Sequence, residues 1–386
     1  MQTKITIPEP QWGGSLTGLI LELEKIRTKR LFSTVPPGIF FQLKEIFQTL
    51  ETLGSARIEG NHTTLSECIE RIIEDKDNSR VDEQHIEVSN LRNAISFIEK
   101  NTDKDTSVDR AYLSHLHKIV VKNLTPPPTG EGSKNPGELR KSNVSIKNAS
   151  HTPPDIVNLK DYFDSFIDFI NDNHIKQNQL LMVAIAHHRC AYIHPFDNGN
   201  GRMIRLLDYV LLIKLGFNVK EGRILNPSAV FYGDRDIYYD NLSKADKLNN
   251  KGVLSWAEYF LSGLKNEIEK IDTLLNVEYV RDKLLLPALK FALDRQVINV
   301  LENDILQYLV RQESMTIRAT ELDKFGISSS HQKSRMIKKL KKEKLITATK
   351  EGGRIYTINF YKSPILRGVV KELGNNGFVA DFLNKN

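Results

Sequence analysis

One histidine, two arginines and a run of small flexible residues stand together in His194-Pro195-Phe196-Asp197-Asn198-Gly199-Asn200-Gly201-Arg202, continued by Met203-Ile204-Arg205. Asn198, Gly199, Asn200 and Gly201 are residue types that tolerate left-handed backbone angles, so their main-chain N–H groups can converge on a small anion. Arg202 and Arg205 fall on one face of the helix that this loop opens. Cations at a helix N-terminus oppose the macrodipole, at a cost of a few tenths of a kcal/mol or more each, and the placement makes sense when an anion sits there. A nest, a helix N-terminus and two arginines make a site for several phosphates, and His194 at its lip is a base of intrinsic pKa about 6.5. The chemistry is phosphoryl or nucleotidyl transfer. A plainer reading is an Asn-Gly turn with solvated arginines and a His-Pro helix stop, and short glycine motifs alone do not separate the two.

The elements on either side must hold this loop still. Residues 179–192 are apolar at Leu180, Leu181, Val183, Ala184 and Ala186 and read as a helix that stops near His194, because the residue before a proline is driven out of the α region. From Arg202 to Leu215 the chain is apolar nearly all round, the mark of a buried helix, with Gly216 as its stop. Upstream, a 3.6-residue period predicts helices over 16–31, 40–58, 86–100, 108–123 and 155–172, with Val35-Pro36-Pro37 as a break. The prolines and glycines of 125–137 forbid regular structure. Arg140 to Ile146 ends in polar–apolar alternation and predicts a short strand, turned back as a hairpin by 148–154. Downstream, a helix begins at Arg235, and Trp256, Tyr259, Phe260 and Leu264 close the domain.

The totals set outer limits. A chain of 386 residues with 40% apolar content has room for two or three globular domains. The two cysteines, Cys68 and Cys190, lie far apart; Cys190 and His194 have helical spacing, but no Cys/His cluster joins them, so buried thiols are expected. His115 and His117 cannot share a helix face, which argues against a metal pair. The N-terminus lacks the apolar core of a signal peptide and no apolar run reaches the length of a membrane span, so a soluble cytoplasmic protein without membrane partners is expected.

The C-terminal third has a different character. Residues 266–294 predict a charged amphipathic helix linking domains. Helices at 300–310, 317–325 and 329–342, followed by strands around the Gly352-Gly353 turn, predict a winged helix. The net charge of +6 is concentrated on the third helix, at Lys333, Arg335, Lys338, Lys339, Lys341 and Lys342. Such a helix suits a DNA major groove, with Lys350 and Arg354 of the wing on phosphates; a solvated face on a protein-binding winged helix is the plainer alternative.

The nine-residue run resembles the signature of the Fic family, His-x-Phe-x-Asp/Glu-Gly-Asn-Gly/Lys-Arg-x-x-Arg, which His194, Phe196, Gly199, Asn200, Gly201, Arg202 and Arg205 match. Ser55-Ala56-Arg57-Ile58-Glu59-Gly60-Asn61 resembles the family's inhibitory Ser/Thr-x-x-x-Glu-Gly/Asn segment. The resemblance implies a mainly α fold, a helical core with a short β-hairpin flap, here followed by the winged helix. The resemblance covers roughly residues 35–262; with the pattern of the C-terminal third it divides the chain into an N-terminal helical region with the inhibitory segment (1–100), a catalytic core (101–265), a linker helix (266–295), the winged helix (296–362) and a tail (363–386).

It also implies an activity, transfer of AMP from ATP to a Ser, Thr or Tyr hydroxyl of a target protein, with the chain itself among the candidate targets and a homo-oligomer left open. His194 would be the base, and Gly199, Asn200, Gly201, Arg202, Arg205 and Tyr238 would bind the nucleotide. Glu59, with Ser55, would reach Arg205 and exclude the γ-phosphate, as a carboxylate pairs with a guanidinium much as a phosphate does. Val144, Ser145 and Ile146 would hold the target by main-chain pairing. Where the family has an acidic residue for Mg²⁺, this chain has Asn198, with Asp197 one residue earlier; an amide oxygen can ligate the ion but brings no charge. Two other readings stay open: an ATP-sensing, DNA-binding regulator, and a hydrolase removing AMP from a modified protein.

Overall fold

The computed structural model describes residues 4–29, 33–74, 82–146, 151–172, 174–217 and 223–383. In chain order its helices are α1 (Ser15–Thr28), α2 (Pro37–Ile58), α3 (Leu65–Glu74), α4 (Glu83–Asn101), α5 (Arg110–Val120), α6 (Ile156–Asn171), α7 (Gln179–Ile193), α8 (Asn200–Lys214), α9 (Ala229–Tyr232), α10 (Arg235–Ala245) and α11 (Asn250–Asp272). Then come α12 (Val277–Tyr279), a π-turn at Val280–Leu285, α13 (Leu286–Asp294), α14 (Val300–Arg311), strand β1 (Thr316–Arg318) and a 3₁₀ turn at Ala319–Phe325. The chain ends with α15 (Ser330–Lys342), β2 (Ile346–Ala348), β3 (Ile355–Ile358) and α16 (Leu366–Asn375). Two compact units result, one from residues 1–31, 51–63 and 80–269, the other from 32–50, 64–79 and 270–386.

The first unit is helical, and α8 is its axis. From Asn200 to Ile213 only Gly201 is not buried, as the apolar periphery of that helix requires. Helices α4, α5 and α7 pack on it, and α6 packs on α7. Apolar stripes account for these contacts: Leu91, Ala94, Ile95 and Ile98 on α4, and Leu159, Phe163, Phe166 and Ile170 on α6. Trp256, fully buried on α11, donates its indole N–H to the carbonyl of Ala184 at 2.6 Å, which ties α11 to α7 and meets the polar need of an otherwise apolar side chain.

The second unit contains the three-stranded antiparallel sheet, order β1-β3-β2. Ile317 of β1 faces Tyr356, and Thr347 of β2 faces Thr357. In this unit Gln42 of α2 accepts the N–H groups of Phe360 and Tyr361 and donates to the carbonyl of Ile358, closing the end of β3.

Three local expectations change. The helix expected over 317–325 begins as strand β1, because Ile317 is fully buried between a half-buried Thr316 and an exposed Arg318, the alternation of a strand edge. The single helix expected over 266–294 is broken: α11 ends at Asp272, and Asn276 caps a new start by accepting the N–H of Tyr279. Residues 140–146 form no strand ladder, and the return segment 148–154 lies in part outside the described residues. Val144 and Ile146 are half-buried and Ser145 exposed, so the alternation is present with no partner strand among the described residues. No helix among the described residues is long and apolar enough to cross a membrane.

Candidate active site

Helix α7 ends at His194 in a left-handed conformation, φ 51° and ψ 62°, with its N–H still bonded to the carbonyl of Cys190 at 3.0 Å. Pro195 prevents continuation and turns the chain outward. The loop is then tied by Asn200, whose amide oxygen accepts the N–H of Phe196 at 2.9 Å and whose amide nitrogen donates to its carbonyl at 2.9 Å. Phe196, 2% exposed, stacks on His117 with ring centroids 3.9 Å apart. Gly199 at φ 75° precedes α8 and serves as its N-cap. A side chain there would also press on Val121, its Cβ 3.1 Å from a methyl of that residue, so glycine is needed for angle and space alike.

Histidine 117 is a keystone. Its Nδ1 accepts the N–H of Gly137 at 2.8 Å, which fixes the proton on Nε2, and Nε2 donates to the carbonyl of Asn198 at 3.0 Å. Burial pushes its pKa down to about 4, so it stays neutral, as both bonds require.

His194 is lowered to about 4 as well, first by burial, with Arg140 adding to the effect and Glu59 opposing it. The Ala191 carbonyl works against the lowering, and a neutral imidazole keeps a lone pair on one ring nitrogen. At neutral pH this is an unprotonated base. Arg140, 2% exposed, fixes the backbone around it, donating from Nε to the carbonyl of His194 at 3.0 Å and from its own N–H to that of Pro195 at 2.9 Å. The same guanidinium donates to the carbonyls of Ser142 and Pro154, on either side of the segment expected as a flap.

The two arginines of α8 have different partners. Arg202, fully buried, donates to Glu87 of α4 at 2.7 Å and to the carbonyl of Glu131 at 2.7 Å, with the Glu131 carboxylate at 3.4 Å; its Nε has no partner. Arg205, 1% exposed, donates from Nε to the Ser55 hydroxyl at 2.8 Å, and from Nη2 to the Ser55 carbonyl at 2.9 Å and to Glu59 at 2.7 Å. Burial alone would raise the Glu59 pKa, but Arg205 and Arg202 outweigh it and hold the carboxylate below its usual range. That carboxylate covers Gly201, where an added Cβ would stand 2.0 Å from Glu59 Oε1. An anion therefore already lies over the first turn of α8.

Ser55, Glu59, His194, Gly199, Asn200, Gly201, Arg202 and Arg205 are thus brought into one region. Tyr238 is 3% exposed, bonded through its hydroxyl to His187 at 3.0 Å and packed on Phe231, and it stands close enough to Arg205 and Glu59 to feel both charges. The Asp197 carboxylate accepts from the Ser133 hydroxyl at 2.5 Å and the Lys134 N–H at 3.0 Å. Each carboxylate oxygen of Asp197 thus accepts one hydrogen bond from loop 133–134. Asn198 accepts the N–H of Gly199 on its side-chain oxygen and donates to the carbonyl of Gly132 at 3.1 Å. No group of three or more His, Cys, Asp or Glu among the described residues could hold a metal, and one neutral, already bonded amide oxygen is a poor start for Mg²⁺. The donor set does not fit a metal held by the protein.

Sequence reasoning passes over His117, Arg140, Glu87 and Glu131. Only Glu87 leaves a signal, four residues before Leu91 on the buried stripe of its helix.

Residues 107–212 match the family described as Fic/DOC. It is similar to the protein adenylyltransferase Fic of Nematostella vectensis, 29% identical over 235 residues, covering 58% of this chain and 50% of that protein. Against the protein of the same name from Drosophila erecta it is 30% identical over 167 residues, 42% of this chain and 32% of that protein. The chain spans half the length, or less, of these curated relatives. Among solved structures it shares the fold of a Fic family protein from Desulfovibrio desulfuricans G20, TM-score 0.55 at 17% identity, covering 92% of this chain and 98% of that one. A Fic domain containing signaling protein from Bacteroides thetaiotaomicron VPI-5482 gives TM-score 0.53 at 16% identity, over 68% of this chain and 97% of that one.

Proposed function

We propose that this chain is a protein adenylyltransferase that moves AMP from ATP to a Ser, Thr or Tyr hydroxyl of a target protein and is held off by its own Glu59. The observation that carries the reading is the Glu59–Arg205 pair at 2.7 Å over Gly201, beside an unprotonated His194. In the active form Glu59 leaves, the nucleotide phosphates take its place at the N-terminus of α8, and Arg205 turns from carboxylate to phosphate. The free lone pair of His194 accepts the target's hydroxyl proton as that oxygen bonds to the α-phosphorus. The bond from the α-phosphorus to the bridging oxygen breaks and pyrophosphate leaves. Main-chain N–H groups of the loop and Arg202 stabilise the charge on the α-phosphoryl oxygens.

The target segment lies along Val144–Ile146, whose alternating exposure, with no partner strand among the described residues, supports main-chain pairing with an incoming chain. The arrangement of α14, the 3₁₀ turn, α15 and the small sheet supports a winged helix, and ATP as donor fits a cytoplasmic protein. Incubating wild type and Glu59→Gly with α-labelled ATP and Mg²⁺ tests the transfer: one AMP of added mass on protein, greater in the variant, is expected. No added mass on either, with a range of candidate targets, would overturn it.

A further inference from the structure

Residues 329–354 hold nine Lys or Arg against two Glu, a surplus of +7 where the whole chain has +6. The remainder of the protein is thus close to neutral, and its basic character is this one stretch.

The fold turns those charges outward. Ser329 caps α15 by accepting the N–H of Gln332, whose side chain returns a bond to the Ser329 N–H, so the helix start is fixed. Ile337 and Leu340 are buried and anchor the inner face. Three of the cations are used inside the fold, Lys333 on Asp323 at 2.7 Å, Lys339 on Glu302 at 2.5 Å and Lys344 on the carbonyl of Ile73 at 3.4 Å. His331, Arg335, Lys338 and Lys342 recur at steps of four, three and four, form one exposed stripe, and have exposed Ser334 and Lys341 beside them. Arg335, Lys338, Lys341 and Lys342 have no carboxylate within ion-pair distance among the described residues. Like charges at this spacing repel, a few tenths of a kcal/mol per pair; the helix dipole offsets this for Lys341 and Lys342 in the last turn, but not for Arg335 and Lys338 before it. At the tip of the β2–β3 hairpin, Gly352 at φ 69° makes the turn and leaves Lys350 and Arg354 exposed.

We propose that α15 and the β2–β3 hairpin form a binding surface for double-stranded DNA. The helix has 13 residues and is about 20 Å long, and its exposed stripe suits the B-form major groove, about 12 Å wide. A-form RNA has a major groove too narrow for a helix. Single strands are held on stacked aromatic rings, and 329–354 has no exposed Phe, Tyr or Trp. A membrane surface needs apolar side chains to insert, and the stripe has none. His331, Ser334 and Arg335, at the helix N-terminal end, face base edges; Lys338, Lys341 and Lys342 take phosphates; Lys350 and Arg354 grip the backbone alongside. The inference concerns the second unit alone and does not rest on the transfer reading.

The test uses the full chain and a fluorescent mixed-sequence DNA duplex of about 25 base pairs, titrated by anisotropy between about 50 and 200 mM salt. Duplex DNA should bind, with log K falling linearly in log salt by about 0.9 per phosphate neutralised. Lys338→Ala and Lys342→Ala should each weaken binding several-fold and lower the slope by about one, while Lys160→Ala on the first unit changes neither. Circular dichroism of the variants, all at exposed positions, should match wild type. Absence of binding at the lowest salt would overturn the proposal. So would equal displacement by duplex RNA or polyglutamate, which would mark a general polyanion or acidic-protein surface, or unchanged binding in both lysine variants.

Discussion

Arg205 holds Ser55 and Glu59 together: one guanidinium bonds the hydroxyl and carbonyl of Ser55 and the carboxylate of Glu59, 150 and 146 residues away along the chain. Ser55 lies within α2 and Glu59 just past its end, and Gly60 at φ 104° turns the chain immediately afterwards. The carboxylate is therefore delivered by a helix end rather than by a wandering loop.

Glu59→Gly should raise self-modification at least about tenfold, equivalent to about 1.4 kcal/mol of barrier. The Ser55 bonds to Arg205 remain, so the melting temperature should fall by only a few degrees. Quantitative mass spectrometry with a thermal melt checks both. An unchanged rate would remove Glu59 from regulation.

His194 has its pKa lowered to about 4, so it is unprotonated and active at neutral pH, and the rate should fall only as pH drops toward that value. The acid limb of kcat/KM reports this group in the free enzyme and should lie well below the ordinary value of about 6.5. Arg140→Met removes a positive charge that disfavours the imidazolium, so the limb and the His194 ring titration by NMR should both move up. His194→Ala should lower the rate by a factor of about 10² to 10⁴ with the fold intact. An acid limb near 6.5 in wild type would contradict the buried, neutral base.

Asn198→Asp places a carboxylate beside Glu131 and Arg202, where the motif otherwise has a neutral amide. Calorimetry with Mn²⁺ and a non-hydrolysable ATP analogue should show tighter metal uptake by the variant, severalfold or more. Equal uptake by both proteins would mean that the ion is held by the nucleotide phosphates without this side chain.

Glu51 is 3% exposed, bonded to the Ser228 hydroxyl and N–H, and burial raises its pKa from 4.5 to about 8. A carboxyl raised on folding favours the native state at low pH, and its contribution is lost as pH rises from about 4.5 through 8. Glu51→Gln keeps the hydrogen-bonding shape without the titration. Relative to wild type it should gain a few kcal/mol at pH 9 and little at pH 5, read from chemical denaturation. A constant difference across that range would exclude the buried acid.

What the sequence disclosed was local. Helix periods, the proline and glycine stops and the loop at 194–202 depend on neighbours within a few residues, and the ends of α7 and α8 fall within two residues of where those signals put them. The meeting of Ser55 and Glu59 with Arg205 is legible only through resemblance, because no pattern within either segment points to the other. Glu87 meets Arg202 from 115 residues away and Arg140 meets His194 from 54, and only packing brings them together. Strand β1 is hidden because three residues are too few to show a period of two. Asp197 accepts from Ser133, a residue no local rule connects to it.

The bare α-carbon of Gly201 has room for one anion at a time. On the proposed reading, the tethered carboxylate and free ATP would compete for the same place, and inhibition would be an occupancy rather than a permanent lock. Tethered groups act at effective concentrations in the millimolar range, comparable to the concentration of ATP as a common metabolite. The resting activity should then follow the nucleotide supply, so the protein would read the energetic state of its surroundings with no separate sensor.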